Sequence, residues 1–262
     1  MNKLLMLSKY LQYKLLASTK YDIHSPFIFS FITEILQDQK PFYAFEDIEL
    51  LRTSMIRSNE TLEVEDYGAG SKTMKTRMRK VSEIAKTTLI SKKFGELLFR
   101  MVNSWQPQTI LELGTSLGIS TLYLAKANES ARVLTLEGGF EIANLARKNF
   151  EKLQAVNIQL LEGEFSTTLP RALQILQSPD FIFIDGNHRK TPTLLYFEQC
   201  LQHSNEKTVI VFDDIHWSEE METAWKEIKN HPAVTLSIDL FFKGIIFLRK
   251  EVYRKQHFTI RF

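Results

Sequence analysis

The sequence predicts an α/β protein with a mostly parallel sheet of seven strands, an antiparallel C-terminal hairpin and a helical N-terminal extension. From Gln108 onward, short apolar segments such as TILEL and DFIFIDG alternate with amphipathic helical segments. This alternation is typical of parallel strands that are buried on both faces. The last two strands, within VTLSIDLFFKGIIFLRK, are separated too briefly for a helical crossover, so we expect them to pair antiparallel.

The N-terminal part of the chain has a different pattern of apolar residues. Up to Trp105 the apolar residues recur at helical spacing, and we expect no sheet there. The predicted helices span residues 2–17, 26–37, 46–58 and 78–104. The predicted division of the chain is a helical extension over 1–90, a ligand-binding α/β domain over 91–250 and a tail over 251–262.

Composition excludes several classes of protein. A length of 262 residues with 44% hydrophobic residues allows a full buried core. The formal net charge of +2 is too small to indicate a nucleic-acid partner. The basic run 72–93 has eight Lys or Arg, one acid and no aromatic residue that could stack on bases. Such a run is more typical of a solvated helix face.

The N-terminal segment and the cysteine content predict a cytoplasmic protein. Residues 1–17 are apolar, but Lys9, Gln12 and Lys14 interrupt the run and no small-residue cleavage site follows. We therefore expect an amphipathic helix and no signal peptide. No apolar stretch approaches the roughly 18–20 residues that span a bilayer. The one cysteine, Cys200, lies in an apolar pattern, which predicts a packed thiol in a reducing compartment.

The most informative motif is the segment from Ile110 to Ser120, ILELGTSLGIS. A buried strand runs into Gly114 and Gly118, and a helix begins close after them. Glycines at that point allow a sharp turn and a close approach to a ligand, at the end of the strand where open α/β sheets bind ligands. The segment predicts a binding site for a small molecule.

Three other interpretations of this motif compete. A dinucleotide fold normally has a third glycine, which this segment lacks. The segment also matches the nucleophile elbow of α/β-hydrolases, with Ser116 as nucleophile and Asp213 and His231 following in the right order. However, a hydrolase elbow follows several strands, whereas no strand is predicted before Ile110. A tight turn without function is the third interpretation.

Acidic residues after the next strands favour a nucleoside site. The strand 132–136 ends in Glu137-Gly138-Gly139, where a carboxylate can accept hydrogen bonds from both ribose hydroxyls. Glu112 lies within a buried strand, where a carboxylate needs a partner such as an ammonium group. Glu162-Gly163-Glu164 follows the third strand. This series resembles the motifs of the class I S-adenosylmethionine (SAM)-dependent methyltransferases, whose sheet is Rossmann-like.

The resemblance covers residues 94–250 and implies a cofactor site. It implies that Gly114 and the Thr115–Ser116 turn line the methionine part of SAM. It also implies that Glu137 holds the ribose and that the Gly163–Glu164 loop borders the adenine, although many relatives have Asp where Glu164 stands. The cofactor-binding residues implied in this way are Glu112, Gly114, Thr115, Ser116, Gly118, Ser120, Glu137, Gly138, Gly163, Glu164 and Asp185.

Three aspartates follow the fourth and fifth strands. Asp185 follows FIFI, and Asp213 and Asp214 follow VIVF. Because neighbouring strand ends lie side by side, these carboxylates repel one another unless a cation neutralises them, and Mg²⁺ or Ca²⁺ suits oxygen ligands. The pattern resembles metal-dependent small-molecule O-methyltransferases of the catechol, caffeoyl-CoA, macrolide and aminocoumarin sugar types. It implies a divalent cation that lowers the pKa of an acceptor hydroxyl, whereas the plainer alternative is that the acids cap helices and order loops.

Two histidines are candidate catalytic bases. His188 stands three residues after Asp185, where the catechol type has its catalytic lysine. A histidine there is suited to general-base catalysis because its ordinary pKa lies close to neutral pH. His216 is the second candidate, and both histidines are equally compatible with roles in ordering loops.

Two functional hypotheses follow. The first is an enzyme that transfers the SAM methyl group to a hydroxyl of a small molecule, with Asp185, His188 and His216 as catalytic candidates. The second is a catalytically silent SAM-binding module that regulates or scaffolds. They differ in whether the aspartates and His188 form one constellation. We also expect a homodimer through the N-terminal helices.

Overall fold

The computed structural model describes residues 3–66, 75–251 and 254–262. Besides a short 3₁₀-helix at Lys20–Asp22 and a π-helical segment at Phe31–Leu36, the described helices are α1 (Lys3–Leu16), α2 (Pro26–Ser30), α3 (Tyr43–Ile56), α4 (Val81–Thr88), α5 (Lys92–Trp105), α6 (Ile119–Ala127), α7 (Phe140–Lys152), α8 (Phe165–Leu176), α9 (Lys190–Gln202) and α10 (Glu219–Asn230). None of these helices combines the length and the apolar character that crossing a bilayer requires.

The described strands alternate with helices from residue 109 onward, as the sequence predicts. They are β1 (Thr61–Asp66), β2 (Lys75–Lys80), β3 (Thr109–Leu113), β4 (Arg132–Glu137), β5 (Ile158–Glu162), β6 (Phe181–Ile184), β7 (Val209–Asp213), β8 (Leu236–Asp239), β9 (Lys243–Phe247) and β10 (Gln256–Thr259).

The chain forms two compact units. Unit one comprises residues 1–38 and 177–262, and unit two comprises residues 39–176. The larger sheet has eight strands, five in unit one and three in unit two. The unit boundaries differ from the predicted domain boundaries after residues 90 and 250, and that division stays a prediction.

Unit one contains the strand order β10-β8-β9-β7-β6. β6 and β7 are parallel, whereas β9 pairs antiparallel with both β7 and β8. This confirms the predicted antiparallel hairpin, because the connection around Phe242 allows only a reversal of direction. In the β7–β9 register, Asp213 lies opposite Lys243.

The fourth helix of unit one, α10, illustrates how local sequence fixes an element. The Ser218 hydroxyl accepts a hydrogen bond from the Met221 backbone N–H at 3.2 Å and caps the helix, as predicted. Glu219, Glu220 and Glu222 lie in the first turn, where carboxylates favour the helix dipole. Trp225 is almost fully buried on the opposite face. Polar residues thus start the helix, and apolar spacing fixes the side that packs.

Unit two contains the parallel strands β3, β4 and β5 in that order, with β4 in the middle. Their side chains are mostly buried, since helices pack on them: α6 and α8 both contact β4. Helix α5 packs on α6 so closely that a Cβ on Gly95 would lie 2.4 Å from the Tyr123 ring. This close packing fixes α5 against α6.

The N-terminal half differs from prediction in two places. A hairpin of β1 and β2 occurs where no sheet is expected, and the predicted helix 78–104 divides into strand residues 78–80, α4 and α5. Helix α4 ends at Thr88, because the next residue, Leu89, has an extended backbone. Ser91 is also extended and is the N-cap of α5. In β1 and β2 the apolar residues Leu62, Val64 and Met78 alternate with charged residues. Because the two segments are mostly polar, this two-residue period is not recognised as a strand pattern.

The C-terminal segment also differs from the predicted tail. Residues 256–259 form β10, which pairs parallel with β8 and makes the sheet eight-stranded instead of seven-stranded. The Tyr13 hydroxyl donates to the Ile260 carbonyl, and Ser18 bridges the same residue. The strand therefore depends on contacts more than 200 positions apart in sequence, which local pattern does not reveal.

Candidate active site

In unit two, the turn after β3 has the backbone that its glycines predict. Gly114 and Gly118 have φ values of 101° and 87°. A Cβ on Gly118 would lie 2.5 Å from the Phe150 ring, so both conformation and space require glycine. Ser116 adopts a left-handed φ of 48°, which is uncommon for a residue with a side chain. Strain of this kind clusters at functional sites.

Glu137, at the end of β4, is held against this turn. Its two oxygens accept hydrogen bonds from the Ser116 backbone N–H at 2.7 Å and the Gly139 backbone N–H at 3.0 Å. Burial raises the pKa of Glu137, and the N–H groups of Gly139, Ser116 and Gly138 partly counter that rise. The carboxylate is therefore fixed in position. A carboxylate offers about four lone-pair sites, so capacity for further hydroxyl donors remains.

The loop after β5 is tied to the same place. The Gly163 backbone N–H donates to the Glu137 carbonyl at 2.9 Å, and Gly163 has a φ of 128°. The Glu164 carbonyl accepts from the Thr167 hydroxyl at 2.9 Å in the first turn of α8. Unit two thus brings together the turn after β3, Glu137 and the Gly163–Glu164 loop.

Beneath the turn lies a buried polar network. Glu112 has no exposed surface, and its Oε2 accepts hydrogen bonds from the hydroxyls of Thr121 and Thr135, the latter at 2.6 Å. The Thr115 hydroxyl lies 2.6 Å from that of Thr135. These bonds satisfy groups that would be costly to bury alone. Glu112 and Thr115 therefore fix the turn from below, and Ser120 is also buried in α6.

Unit one brings the predicted aspartates and His188 into one electrostatic group, which we name the acidic cluster: Asp185, His188, Asp213 and Asp214. His188 Nε2 lies 3.4 Å from Asp185 Oδ1. Burial and the charge of Asp213 raise the pKa of Asp185 to about 6, against opposing effects of His188 and Lys243. Burial and Asp213 also raise the pKa of Asp214. The carboxylates are thus close enough to affect one another's ionisation.

His188 responds to the same charges. Burial lowers the pKa of His188, but its hydrogen bond to Asp185 and the charges of the three aspartates outweigh burial, so the net pKa lies above its ordinary value of 6.5. Asn187, His188 and Asp214 have positive φ values of 68°, 23° and 51°. The loops after β6 and β7 therefore hold these residues in uncommon conformations.

A metal site in the acidic cluster is not shown, and a buried lysine lies beside one of the predicted ligands. Within the described ranges, no group of three or more His, Cys, Asp or Glu side chains is arranged to hold a metal ion. Asp213 Oδ1 instead accepts hydrogen bonds from Lys243 Nζ and from the Asp214 backbone N–H. A buried ammonium group thus already pairs with Asp213, and a divalent cation shared by Asp185, Asp213 and Asp214 stays a prediction.

His216 lies in a different environment from the acidic cluster. Its Nε2 lies 2.9 Å from Asp239 Oδ2 and its Nδ1 lies 3.2 Å from Glu222 Oε1. The Phe241 ring stacks on the imidazole with centroids 5.1 Å apart. Both ring nitrogens therefore face carboxylates, and a catalytic role for His216 stays a prediction.

The hydrolase interpretation lacks its catalytic pairs. The Ser116 hydroxyl lies 2.7 Å from the Thr88 hydroxyl. His231 Nε2 lies 3.6 Å from Glu198 Oε1, and its ring packs on Phe197. Each candidate triad member is thus engaged with a partner from outside the triad.

Sequence analysis missed several residues that shape these sites. Lys243, Thr121 and Thr135 supply the donors for the buried carboxylates. The one available signal was Lys243 itself, a charge at the start of the apolar strand KGIIF. The predicted packed thiol is confirmed, since Cys200 is fully buried and burial raises its pKa to about 12.

Comparisons with known proteins agree with the fold and the motif series. A protein-family model described as "Methyltransferase domain" matches residues 111–215. A catechol O-methyltransferase from Niastella koreensis is 33% identical over 129 residues, covering 48% of this chain and 58% of that protein. A catechol O-methyltransferase from Mycobacterium tuberculosis is 30% identical over 129 residues, covering 48% of this chain and 56% of that protein. The match thus spans between half and two thirds of these relatives' length.

A solved structure extends the comparison. An O-methyltransferase from Bacillus cereus, in complex with S-adenosylhomocysteine (SAH), superposes with a TM-score of 0.56 at 20% identity, covering 83% of this chain and 96% of that chain. At this identity the likeness shows the fold. The fold is therefore that of the solved O-methyltransferase, and residues 111–215 match a methyltransferase domain.

A pH-dependent contribution to stability follows from His216. Burial lowers the pKa of His216, but hydrogen bonds and charges from Asp239 and Glu222 outweigh it, so the net pKa is raised above 6.5. The protonated imidazolium therefore stabilises the fold fully below pH 6.5, and this contribution is lost as the pH rises through the raised pKa. We expect His216→Gln to lower the melting temperature most in acid, measured from about pH 5.5 to about pH 9.

His257 provides the control. Its pKa is lowered by burial and by the charges of Lys229 and Lys255, so His257→Gln should show no loss that grows toward acid. If the difference in melting temperature between wild type and His216→Gln is the same at every pH, protonated His216 does not stabilise the fold.

Proposed function

We propose that this chain is a SAM-dependent methyltransferase that transfers a methyl group to a hydroxyl of a small molecule. The observation that carries the proposal is Glu137, a carboxylate fixed by backbone N–H groups beside a strained glycine turn. The relatives named catechol O-methyltransferase and the SAH complex of the Bacillus cereus neighbour support this choice.

Unit two is the proposed cofactor site. Glu137 accepts hydrogen bonds from the ribose hydroxyls, because its side chain is fixed and has lone pairs to spare. The Gly114–Ser116 turn, followed by Gly118, admits the methionine part without a clashing side chain. The Gly163–Glu164 loop borders the adenine. When bound, SAM supplies an electrophilic methyl group on a sulfonium centre.

Unit one supplies the proposed base. His188 removes the proton from the acceptor hydroxyl, and Asp185, 3.4 Å from His188 Nε2, orients the imidazole and stabilises its protonated form. Asp185 is therefore a positioning residue for this base. The mutual effects of Asp185, His188, Asp213 and Asp214 on ionisation favour the enzyme over the silent SAM-binding module, since the silent module requires no such constellation.

Replacing Glu137 tests the cofactor site. Glu137→Ala should weaken SAH binding by about 1–3 kcal/mol, because it removes charge-assisted hydrogen bonds to the ribose. Titration calorimetry with SAM, SAH and NAD measures the effect, and we expect wild type to bind the first two and not NAD.

Glu129→Ala is the matched control, because Glu129 forms an exposed ion pair with Lys126 in the same unit. Its SAH affinity should equal that of wild type. If Glu137→Ala binds SAH as tightly as the control does, Glu137 does not hold the ribose.

Replacing His188 tests the base. His188→Gln should lower kcat by roughly 10²–10⁴ with a catechol acceptor, because general-base catalysis contributes about that factor, and SAH affinity should be unchanged. Wild-type activity should rise with pH as His188 loses its proton. His203→Gln is the control, since His203 Nδ1 lies 3.1 Å from the Gln177 carbonyl and serves a local contact. Equal kcat in the two variants would remove His188 from the mechanism.

A homodimer through the N-terminal helices and a cytoplasmic location complete the proposal. Leu7, Leu11 and Leu15 recur every four residues on α1 and are 54%, 55% and 81% exposed. Such a stripe is suited to packing against a second copy. Light scattering after gel filtration should give a dimer for wild type and a monomer for Leu11→Lys. A monomeric wild type at all concentrations contradicts the dimer.

A further inference from the structure

We propose that Lys243 is a built-in counter-ion that takes the place of a divalent cation in the acidic cluster, so that this chain acts without metal. The inference rests on the proposed function and specifies its ion requirement. It concerns one residue, the first of β9, which the β7–β9 register places opposite Asp213.

The position of the ammonium group is the first argument. Lys243 is only 4% exposed, and its Nζ forms an ion pair with Asp213 Oδ1. The same Nζ lies 5.7 Å from the centroid of the Phe183 ring, over its face. A buried lysine that contacts both a carboxylate and an aromatic ring has a fixed position, whereas a surface lysine can exchange partners.

The reach of the charge is the second argument. Lys243 pairs directly with Asp213, and the Asp214 backbone N–H donates to the same Asp213 oxygen, so the ammonium charge lies where the two neighbouring acids meet. One ammonium group therefore supplies positive charge at the Asp213–Asp214 end of β7, where the sequence assigned a metal ion. A divalent cation at the same oxygen of Asp213 would meet a like charge at close range, and that repulsion is strong where solvent is excluded.

The donor set is the third argument. Mg²⁺ requires near-octahedral oxygen ligands, and Ca²⁺ takes six to eight. Asp213 Oδ1 already accepts from Lys243 and from the Asp214 backbone N–H, so both lone pairs of this oxygen are in use while Lys243 is in place. The residues present therefore fit an ammonium group and not a metal.

A merely structural ion pair is the competing explanation. Replacement of a buried ion pair by apolar residues is often neutral, whereas removal of one partner leaves a buried charge. Loss of stability alone therefore does not distinguish the two explanations. A gain of response to divalent cations does, because only a lysine that stands in for a cation leaves behind a group of carboxylates that a cation can neutralise.

The experiment compares wild type with Lys243→Met, which keeps the length of the side chain and removes the charge. Melting temperature and SAH affinity are measured in EDTA and in millimolar Mg²⁺, Mn²⁺ or Ca²⁺. We expect wild type to be the same in all buffers. We expect Lys243→Met to melt roughly 5–15 °C lower in EDTA and to recover part of that loss in at least one cation.

Three further variants sharpen the result. Lys243→Arg keeps the positive charge and should remain indifferent to cations. The double variant Lys243→Met with Asp213→Asn removes both charges, so it should fold even if the single variant does not, and it should show no cation response. Lys190→Met removes a lysine that pairs with Glu227 at the surface of the same unit and should gain no response.

The outcomes separate this inference from the proposed function. If wild type fails to bind SAH, the proposed function is wrong. If wild type binds SAH and is stabilised by Mg²⁺, Mn²⁺ or Ca²⁺, the inference about Lys243 is wrong. The inference is also wrong if Lys243→Met folds but none of the three cations raises its melting temperature. If Lys243→Met does not fold, the inference is wrong when any of the three cations stabilises the double variant.

Discussion

Burial of carboxylates at the ends of strands is the constraint on which both candidate sites depend. Glu112, Glu137 and Asp213 lie at or near the carboxyl ends of β3, β4 and β7, where open α/β sheets present their ligands. An ionised carboxylate in such a place is unfavourable unless donors surround it. Each site is therefore described by the donors that its carboxylates receive, and the two units supply different kinds of donor.

Unit two supplies neutral donors. Backbone N–H groups hold Glu137, and threonine hydroxyls hold Glu112. Neutral donors leave the negative charge of Glu137 in place, which suits recognition of hydroxyl groups on a nucleoside. The same bonds fix the turn after β3, so recognition requires little rearrangement when a ligand binds.

Unit one supplies cationic donors. Lys243 neutralises Asp213, and His188 lies beside Asp185. These positively charged donors reduce the net negative charge of the acidic cluster, and its aspartates can still ionise. His188 is therefore surrounded by fixed carboxylates, an arrangement that suits the general-base role proposed above.

Elements were predicted correctly where the interactions that form them join residues close together in the sequence. Strands β3 to β9 and the cap of α10 are encoded in adjacent residues, and they were predicted. The β1–β2 hairpin was missed because its alternation is polar. Strand β10 was missed because it is only four residues long and the residue after it is held by Tyr13 and Ser18, which are distant in sequence. At the site, the acids were visible as motif residues, whereas their donors Thr121, Thr135 and Lys243 become neighbours only through packing and strand register.

Lys243 lies outside the segment that the protein-family model matches. The methyltransferase family model matches residues 111–215 and therefore includes Asp185, Asp213 and Asp214. It ends before β9, whose first residue is Lys243. The segment that identifies the domain thus contains the acids and omits the lysine that neutralises one of them. The family match concerns residues 111–215, whereas an ion requirement depends on every charge that faces the acids. The ion requirement of this chain must therefore be argued from β9 and cannot be transferred with the motifs.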